Sequence, residues 1–444
     1  MKKESSKKTE HKRKMIADIK TGETVNIRGF VENNRDKKSM QFIVLRDRSG
    51  KVQVTVIKDQ MPAVAAALEG LGLESVISVT GKAVANPGVK LGGIEILPES
   101  AEVLSVALPS PINAESGPEF QMDYRWLDLR DTKKRTYFEI QTVALKAMRD
   151  YFVEKGFIEV FTPKLTDAGT EGGSEVFEVK YFQKKAYLTQ SPQLYKQMAM
   201  AAGFEKYFEI GGNYRAEKSF TSRHATEFFA LDVEVSYIDD HNDLMDLEED
   251  MLKCVLSKVE AKCGKIMKEV LGQDFKAQTA AFPRITLYDA YSILKTEKNY
   301  DVTHAVKGDL DPDAERLLCE IAREKYNSDF IFITDFPASA RAFYSKKHDG
   351  EKNTLTKSYD LLYKGVEITS GAQREHDPKK LIQNMRDKGI NPDTMKSYIQ
   401  FFEYGCPPHG GFALGLARFF ARLFDVAQLR EMTFLFRGPD RLAP

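Results

Sequence analysis

The residues from Phe208 to Glu234 read FEIGGNYRAEKSFTSRHATEFFALDVE. One apolar run (Tyr207–Ile210) leads into this stretch and a second (Phe228–Val233) leads out of it. Two such runs joined by a polar segment predict an antiparallel hairpin with its charged residues around the loop. Arg215, Glu217, Arg223, His224 and Asp232 then share one strand–loop–strand unit. Two arginines, a histidine and two kinds of carboxylate are poor core material, but they suit a polyphosphate and a charged amine. For an arbitrary hairpin of this composition a solvated loop on a sheet edge is the plainer reading. The particular order of residues favours the clamp.

A chain of 444 residues is long for one core and predicts two or three domains. Hydrophobic residues make up 42% and charged residues 29%, the balance of a soluble globular protein. No apolar stretch is long enough to span a bilayer and no signal-peptide pattern opens the chain, so a cytoplasmic protein without membrane contact is expected. Cys254, Cys263, Cys319 and Cys406 lie far apart without paired metal-ligand spacing, which fits a reducing compartment and no zinc. The formal net charge is zero, but residues 1–14 form a basic tail carrying Lys2, Lys3, Lys7, Lys8, Lys12, Arg13 and Lys14. Such a tail serves solubility or makes a loose contact to RNA phosphates; the residues leave both open.

Short strands are expected over residues 15–107: Thr24–Glu32, Gln41–Asp47, Lys51–Val56, Val76–Ala85 and Ile94–Val103, with a helical segment between the third and fourth. Five strands with a helix after the third is the pattern of an OB-fold barrel, a common binder of single-stranded nucleic acid. Residues 108–135 begin rich in Pro, Ser and Gly and are expected to be a hinge. A long amphipathic helix is expected over Lys134–Lys155. From 136 to 444 strands and helices mix without βα alternation, G-x-G-x-x-G or a P-loop, so the expected class is α+β: an antiparallel sheet flanked by helices. Residues 239–326 are helix-rich and motif-poor and are expected to be a helical insertion decorating that domain.

The order R-A-E…T-x-R-H…E-F…D-x-E resembles motif 2 of the class II aminoacyl-tRNA synthetases, in the aspartyl branch of archaeal and eukaryotic cytosolic type. GFIEVFTPKL (Gly156–Leu165) is similar to motif 1, where helix and strand form a homodimer interface; alone, a Pro ending a strand is ordinary. PPHGGFALGLARFF (Pro407–Phe420) is similar to motif 3. The resemblance implies aspartate–tRNA ligase activity, with ATP and L-aspartate forming aspartyl-adenylate before transfer to tRNA(Asp). Whether tRNA(Asn) is also charged is left open. It also implies Mg²⁺ with the ATP.

Site residues follow from the resemblance position by position. Arg215 would contact the α-phosphate and the substrate carboxylate, with Glu217 beside it. Arg223 and His224 would approach the γ-phosphate, and Phe228 would stack on adenine. Glu171, in the Gly-rich stretch TDAGTEGGSEVFEV, would sit near the substrate ammonium under a lid; alone, such a stretch is a connector. In LTQSPQLYKQ, Gln193 and Lys196 would face the aspartate, whereas asparaginyl enzymes lack that lysine. Asp232 would bind the amino group. In SYDLLYKGVEITSGAQREH, Glu367 and Ser370 would hold the metal and nucleotide, Ser370 also lying at the aspartate, and Arg374 would grip the aspartate side chain. Gly415 and Arg418 would serve the ATP, and Arg215 and Arg418 would be the catalytic cations. In the barrel, Phe42, Gln53 and Glu95 would meet the anticodon, Phe42 by stacking; taken alone, Phe42 reads as barrel core.

The chain departs from the family in motif 3. Ala413 replaces a glycine and would crowd a tight turn. Ala417 replaces the glutamate before Arg418, and FRGPD (Phe436–Asp440) replaces Phe-Pro-Arg-Asp. Two alternatives follow: an asparaginyl-tRNA ligase, which Lys196 opposes, and a catalytically weak paralogue acting as an RNA-binding module.

Overall fold

A computed structural model describes residues 12–167, 175–218, 224–302, 308–350 and 353–444. Most of the basic tail thus lies outside the described residues. The chain forms two units, Met1–Ser116 and Gly117–Pro444.

In the first unit, strands β1 (Thr24–Asp36), β2 (Met40–Arg46), β3 (Lys51–Ile57), β4 (Val76–Ala85) and β5 (Ile94–Ser105) close a barrel in the order β1-β2-β3-β5-β4. The helix Pro62–Ala67 follows the third strand, as expected of an OB-fold. Alternate residues fill the barrel: Ile43 and Leu45 from β2, Val52 and Val54 from β3, and Ile77 and Val79 from β4 are buried. Closing the sheet on itself removes the unpaired edges that a five-stranded open sheet would expose.

The second unit is built on an eight-stranded sheet. To the short strands β6 (Ile158–Glu159), β7 (Leu165–Thr166), β8 (Glu178–Tyr181) and β9 (Lys184–Leu188) are added β10 (Lys206–Tyr214), β11 (Glu227–Ser236), β12 (Arg284–Thr286), β13 (Phe330–Thr334), β14 (Ser358–Tyr363), β15 (Val366–Gln373) and β16 (His409–Gly415). The order is β12-β13-β14-β15-β16-β11-β10-β6, antiparallel except for the two parallel outer pairs, β12 with β13 and β6 with β10. The strands β7, β9 and β8 form a separate small sheet. This is the α+β class expected, preceded by the OB barrel.

The long helix spans Thr132–Glu154, capped by the Asp131 carboxylate accepting from the Lys134 amide, and it ends at Gly156 with φ +81°. It buries Ile140, Ala144, Met148 and Phe152 against the sheet, where Phe152 stacks on Phe208 with ring centroids 5.3 Å apart.

Two boundaries differ from expectation. The hinge ends at residue 116. Arg125, 1% exposed, is held by Asp128, by Glu431 and by the carbonyls of Glu431 and Thr433, which fixes RWLDLR onto the catalytic unit's own C-terminal segment. Nor is 239–326 a mere decoration. The helix His241–Ile266, started by an Asp240/Asp243 capping box, puts Leu252, Val255 and Val259 into the main core, and β12 forms the sheet's edge. Motif-poor segments of this kind are buried for packing, which short motifs do not record.

Candidate active site

Register across five strands creates the site. Asp360 on β14 pairs with Ser370 on β15, Ser370 with Ala413 on β16, Ala413 with Asp232 on β11, and Asp232 with Glu209 on β10. Directly paired residues share a face, so four polar groups and one small residue form a row across the sheet. A cleft of about 450 Å³ opens along this row. Gln193, Lys196, Arg215, Glu217, His224, Phe228, Asp232, Glu367, Ser370, Arg374, Gly415 and Arg418 all line it. Glu171 and Arg223 lie outside the described residues.

At one end, four buried charges interlock. Lys196, delivered by the helix Gln193–Ala201, lies 3.1 Å from Asp232 and 3.4 Å from Glu234. Arg374 donates from Nε to Glu234 Oε1 at 3.0 Å, and from Nη2 to the Gly411 carbonyl at 2.9 Å. Gly411 has to be a glycine because a Cβ there would stand 2.2 Å from a Glu234 carboxylate oxygen and 2.0 Å from a backbone carbonyl. Burial pushes the Asp232 carboxyl above the usual carboxylate range even with Lys196 pulling it down. At Glu234 burial acts the same way, but Arg374 and Lys196 outweigh it and hold the carboxyl low. Behind Lys196, Gln197 joins Tyr398 and His409, whose imidazole burial drives down to about 4, leaving it neutral. Lys196 and Arg374 are therefore not bare cations; each already has an internal carboxylate partner.

At the other end, the β10–β11 hairpin carries more exposed charges. Arg215 lies 3.9 Å from Glu217, and its guanidinium stands 5.2 Å from the Phe228 ring centroid. His224 lies 3.8 Å from the same Glu217 carboxylate. Arg418, from the helix Leu416–Leu423, donates to the Glu367 carbonyl at 3.1 Å and lies 3.5 Å from its carboxylate. Glu367 keeps about a third of its side chain open (36%), yet desolvation and the neighbouring Asp360 raise its carboxyl to about 7.

In the barrel unit, Phe42 pairs with Thr55, Val44 with Gln53, and Gln53 with Glu95, so these side chains share the outer face. Glu95 accepts from Asn86 at 2.8 Å, Thr55 at 2.5 Å and Gln53 at 3.2 Å. Phe42 is half-buried and stays outside the barrel core, contrary to the plainer reading of its sequence.

Residues 117–437 match the model of tRNA synthetases class II (D, K and N), and residues 25–104 match the OB-fold nucleic acid binding domain. The chain belongs to the class II tRNA synthetases. Its curated relatives include an aspartate–tRNA(Asp/Asn) ligase of Aeropyrum pernix, 40% identical over 98% of this chain and all of that protein. An aspartate–tRNA(Asp) ligase of Pyrococcus abyssi is 38% identical over 97% of this chain and 98% of that protein. Among solved structures, asparaginyl-tRNA synthetase from Pyrococcus horikoshii with asparaginyl-adenylate superposes with a TM-score of 0.88 at 31% identity, over 98% of this chain and 100% of that one.

As a class II synthetase the chain has two readable departures. Ala413 occupies no tight turn: it sits inside β16, paired on both sides with Asp232 and Ser370, and its methyl group faces the cleft. Ala417 lies in the first turn of the following helix and packs against the core, so no carboxylate stands there to hold Arg418; the backbone and side chain of Glu367 do so instead. Three site residues receive no role from the sequence: Asp360, Glu234 and Arg341. Asp360 left one faint signal, a lone acid in the otherwise apolar or neutral run SYDLLY, whose residues are all buried. Glu234 closes the D-x-E of the hairpin motif, but its partners, like those of Arg341, become visible only once the strands are paired.

Among the described residues no three His, Cys, Asp or Glu side chains are grouped to hold a metal ion by themselves. Glu367 and the Ser370 hydroxyl nevertheless line the cleft with hard oxygen donors, and the buried Asp360 carboxylate lies directly behind Ser370. That set fits Mg²⁺, which takes one or two carboxylates and completes its shell with phosphate and water.

Proposed function

We propose that this class II synthetase is an aspartate–tRNA ligase acting with ATP and Mg²⁺. The observation that carries the reading is the interlocked set Lys196–Asp232–Glu234–Arg374, which ends the cleft opposite the Arg215–Phe228–Arg418 end. Asp232 takes the substrate ammonium. Lys196 and the free Nη1 edge of Arg374 take the side-chain carboxylate. A neutral asparagine side chain would leave those donors with less charge to meet.

The aspartate α-carboxylate attacks the α-phosphorus of ATP, pyrophosphate leaves, and the terminal ribose hydroxyl of the tRNA then takes the aspartyl group. No protein nucleophile is needed because the attacking carboxylate is already ionised. Arg215 holds that carboxylate against the α-phosphate and neutralises the charge that grows there. Phe228 and Arg418 sandwich the adenine, and His224 and Glu217 serve the outer phosphates and the hairpin. Glu367, Ser370 and Asp360 would hold the Mg²⁺, which supplies charge neutralisation for the phosphates.

Phe42, Gln53 and Glu95 read anticodon bases by stacking and edge hydrogen bonds, and the partner is tRNA(Asp), with tRNA(Asn) as a second acceptor to be tested. The enzyme works as a homodimer. Edge strand β6 and the chain after it expose Ile158 (47%) and Phe161 (77%), the kind of apolar edge that a second copy covers. A cytoplasmic location accords with four free cysteines and with the lack, among the described residues, of any helix long and apolar enough to cross a membrane.

The test is ATP–pyrophosphate exchange without tRNA, offering aspartate and asparagine separately. Exchange with aspartate alone is expected and should vanish in Lys196→Met. Exchange with asparagine, or none with either, overturns the assignment.

A further inference from the structure

Arg341 belongs to no motif, yet it holds the oxygens assigned above to the metal. It follows β13 on a loop, with its guanidinium 3.5 Å from the Phe336 ring centroid. One Nη donates to Asp360 and the other to Ser370 Oγ at 3.2 Å, while Ser370 Oγ donates to the second Asp360 oxygen at 2.7 Å. Both carboxylate oxygens of Asp360 are thus engaged by this triangle. The Arg341 side chain is 15% exposed, and its buried Nε has no hydrogen-bond partner among the described residues. Asp360 is paired with Arg341 and Glu367 with Arg418, while the carboxylates of Asp309 and Glu315 stand behind them in the same cluster. A divalent ion entering here would find both oxygens of Asp360 occupied and a fixed guanidinium beside them, a local repulsion that low dielectric strengthens. A nucleotide triphosphate offsets that guanidinium by bringing its own negative charge and oxygen ligands.

We propose that Arg341 is a positioning residue that makes the cation site conditional on the nucleotide. Clamped on Phe336, it keeps Asp360 and Ser370 in place and repels a divalent ion until ATP arrives, so that metal and ATP enter together. The proposal rests on the metal assignment made under the proposed function.

The test uses the purified full chain with Mn²⁺ as probe. Binding is read by water-proton relaxation enhancement, which separates enzyme-bound Mn²⁺ from Mn²⁺ held by nucleotide alone. Each protein is measured with and without a non-hydrolysable ATP analogue. Wild type should bind Mn²⁺ at least about tenfold more weakly without the analogue than with it. Arg341→Gln should bind Mn²⁺ alone at least about tenfold more tightly than wild type does. A merely structural role predicts the opposite sign, because a loosened site binds metal less well. Equal or weaker Mn²⁺ binding by Arg341→Gln therefore overturns the proposal. Absence of bound Mn²⁺ in wild type even with the analogue overturns the metal assignment and this inference with it. Thermal unfolding checks that the variant is folded. If it is not, Phe336→Leu, which removes the ring beneath the guanidinium, carries the same test with an expected gain of about threefold.

Discussion

Arg374 closes on Glu234 through two hydrogen bonds, Nε to Oε1 at 3.0 Å and Nη2 to Oε2 at 3.3 Å. The guanidinium fork is thereby turned inward, and only its Nη1 edge remains for a ligand. A lysine at this position keeps the charge but has no second donor in the same plane. Arg374→Lys is expected to raise the KM for aspartate at least about tenfold and to lower the unfolding free energy by roughly 1–3 kcal/mol, since Glu234 is left poorly paired in the core. Exchange kinetics and denaturant unfolding measured on the same preparation check both.

Arg215 behaves oppositely. Its side chain is 40% exposed and leans on Phe228, so the fold does not depend on it. Arg215→Ala should lower kcat/KM for exchange at least about 10³-fold, as expected when a preorganised cation at the developing charge is removed. The melting temperature should move by no more than about 2 °C. A small kinetic effect would place the charge stabilisation elsewhere.

Arg418 is already fixed by the backbone and carboxylate of Glu367. The carboxylate missing at position 417 is therefore not required to hold it. Ala417→Glu should change the exchange rate by less than about threefold, because one more partner for an already oriented arginine adds little. A large gain would mean that the departure impairs the enzyme.

Glu248, on the helix His241–Ile266, is fully buried beneath the sheet and accepts from the Tyr359 hydroxyl at 3.1 Å. Burial outweighs the favourable pull of the Tyr359 hydroxyl and the nearby Thr369 side chain and raises its carboxyl to about 8. The folded state keeps this proton where the unfolded chain has lost it. Stability from this group is thus full below the unfolded value near 4.5 and declines as pH rises toward about 8. Glu248→Gln, neutral throughout, should gain on wild type by roughly 4 kcal/mol between pH 4.5 and pH 8, the gap shrinking steadily as pH falls. Urea unfolding of both proteins across that range decides it, and a pH-independent difference would show that Glu248 is charged in the fold.

On the barrel, Phe42 lies on the same outer face as Gln53 and Glu95, opposite Thr55. Losing one base stack costs about 1–3 kcal/mol. Phe42→Ala should therefore raise the KM for tRNA by about tenfold or more while leaving tRNA-free exchange unchanged. Aminoacylation and exchange assays run side by side separate the two effects.

Much of this protein is written along the chain. Alternating apolar residues determined the five barrel strands and the helix after the third, because a period of two fixes which face is buried. The hairpin around Arg215 could be placed for the same reason, and the ordered residues within it carried much of the family resemblance. Tertiary structure decided what depends on pairing distant strands. Only register brings Asp360, Ser370, Ala413 and Asp232 into one row, and only close packing turns Lys196 and Arg374 inward onto Asp232 and Glu234. Arg341 and Glu248 left no pattern in the sequence, since a single buried charge is defined by its neighbours in space. The same holds for the helix His241–Ile266, whose place in the core comes from the surface it covers. Local periodicity is a property of the chain, whereas the balance of buried charges is a property of the fold.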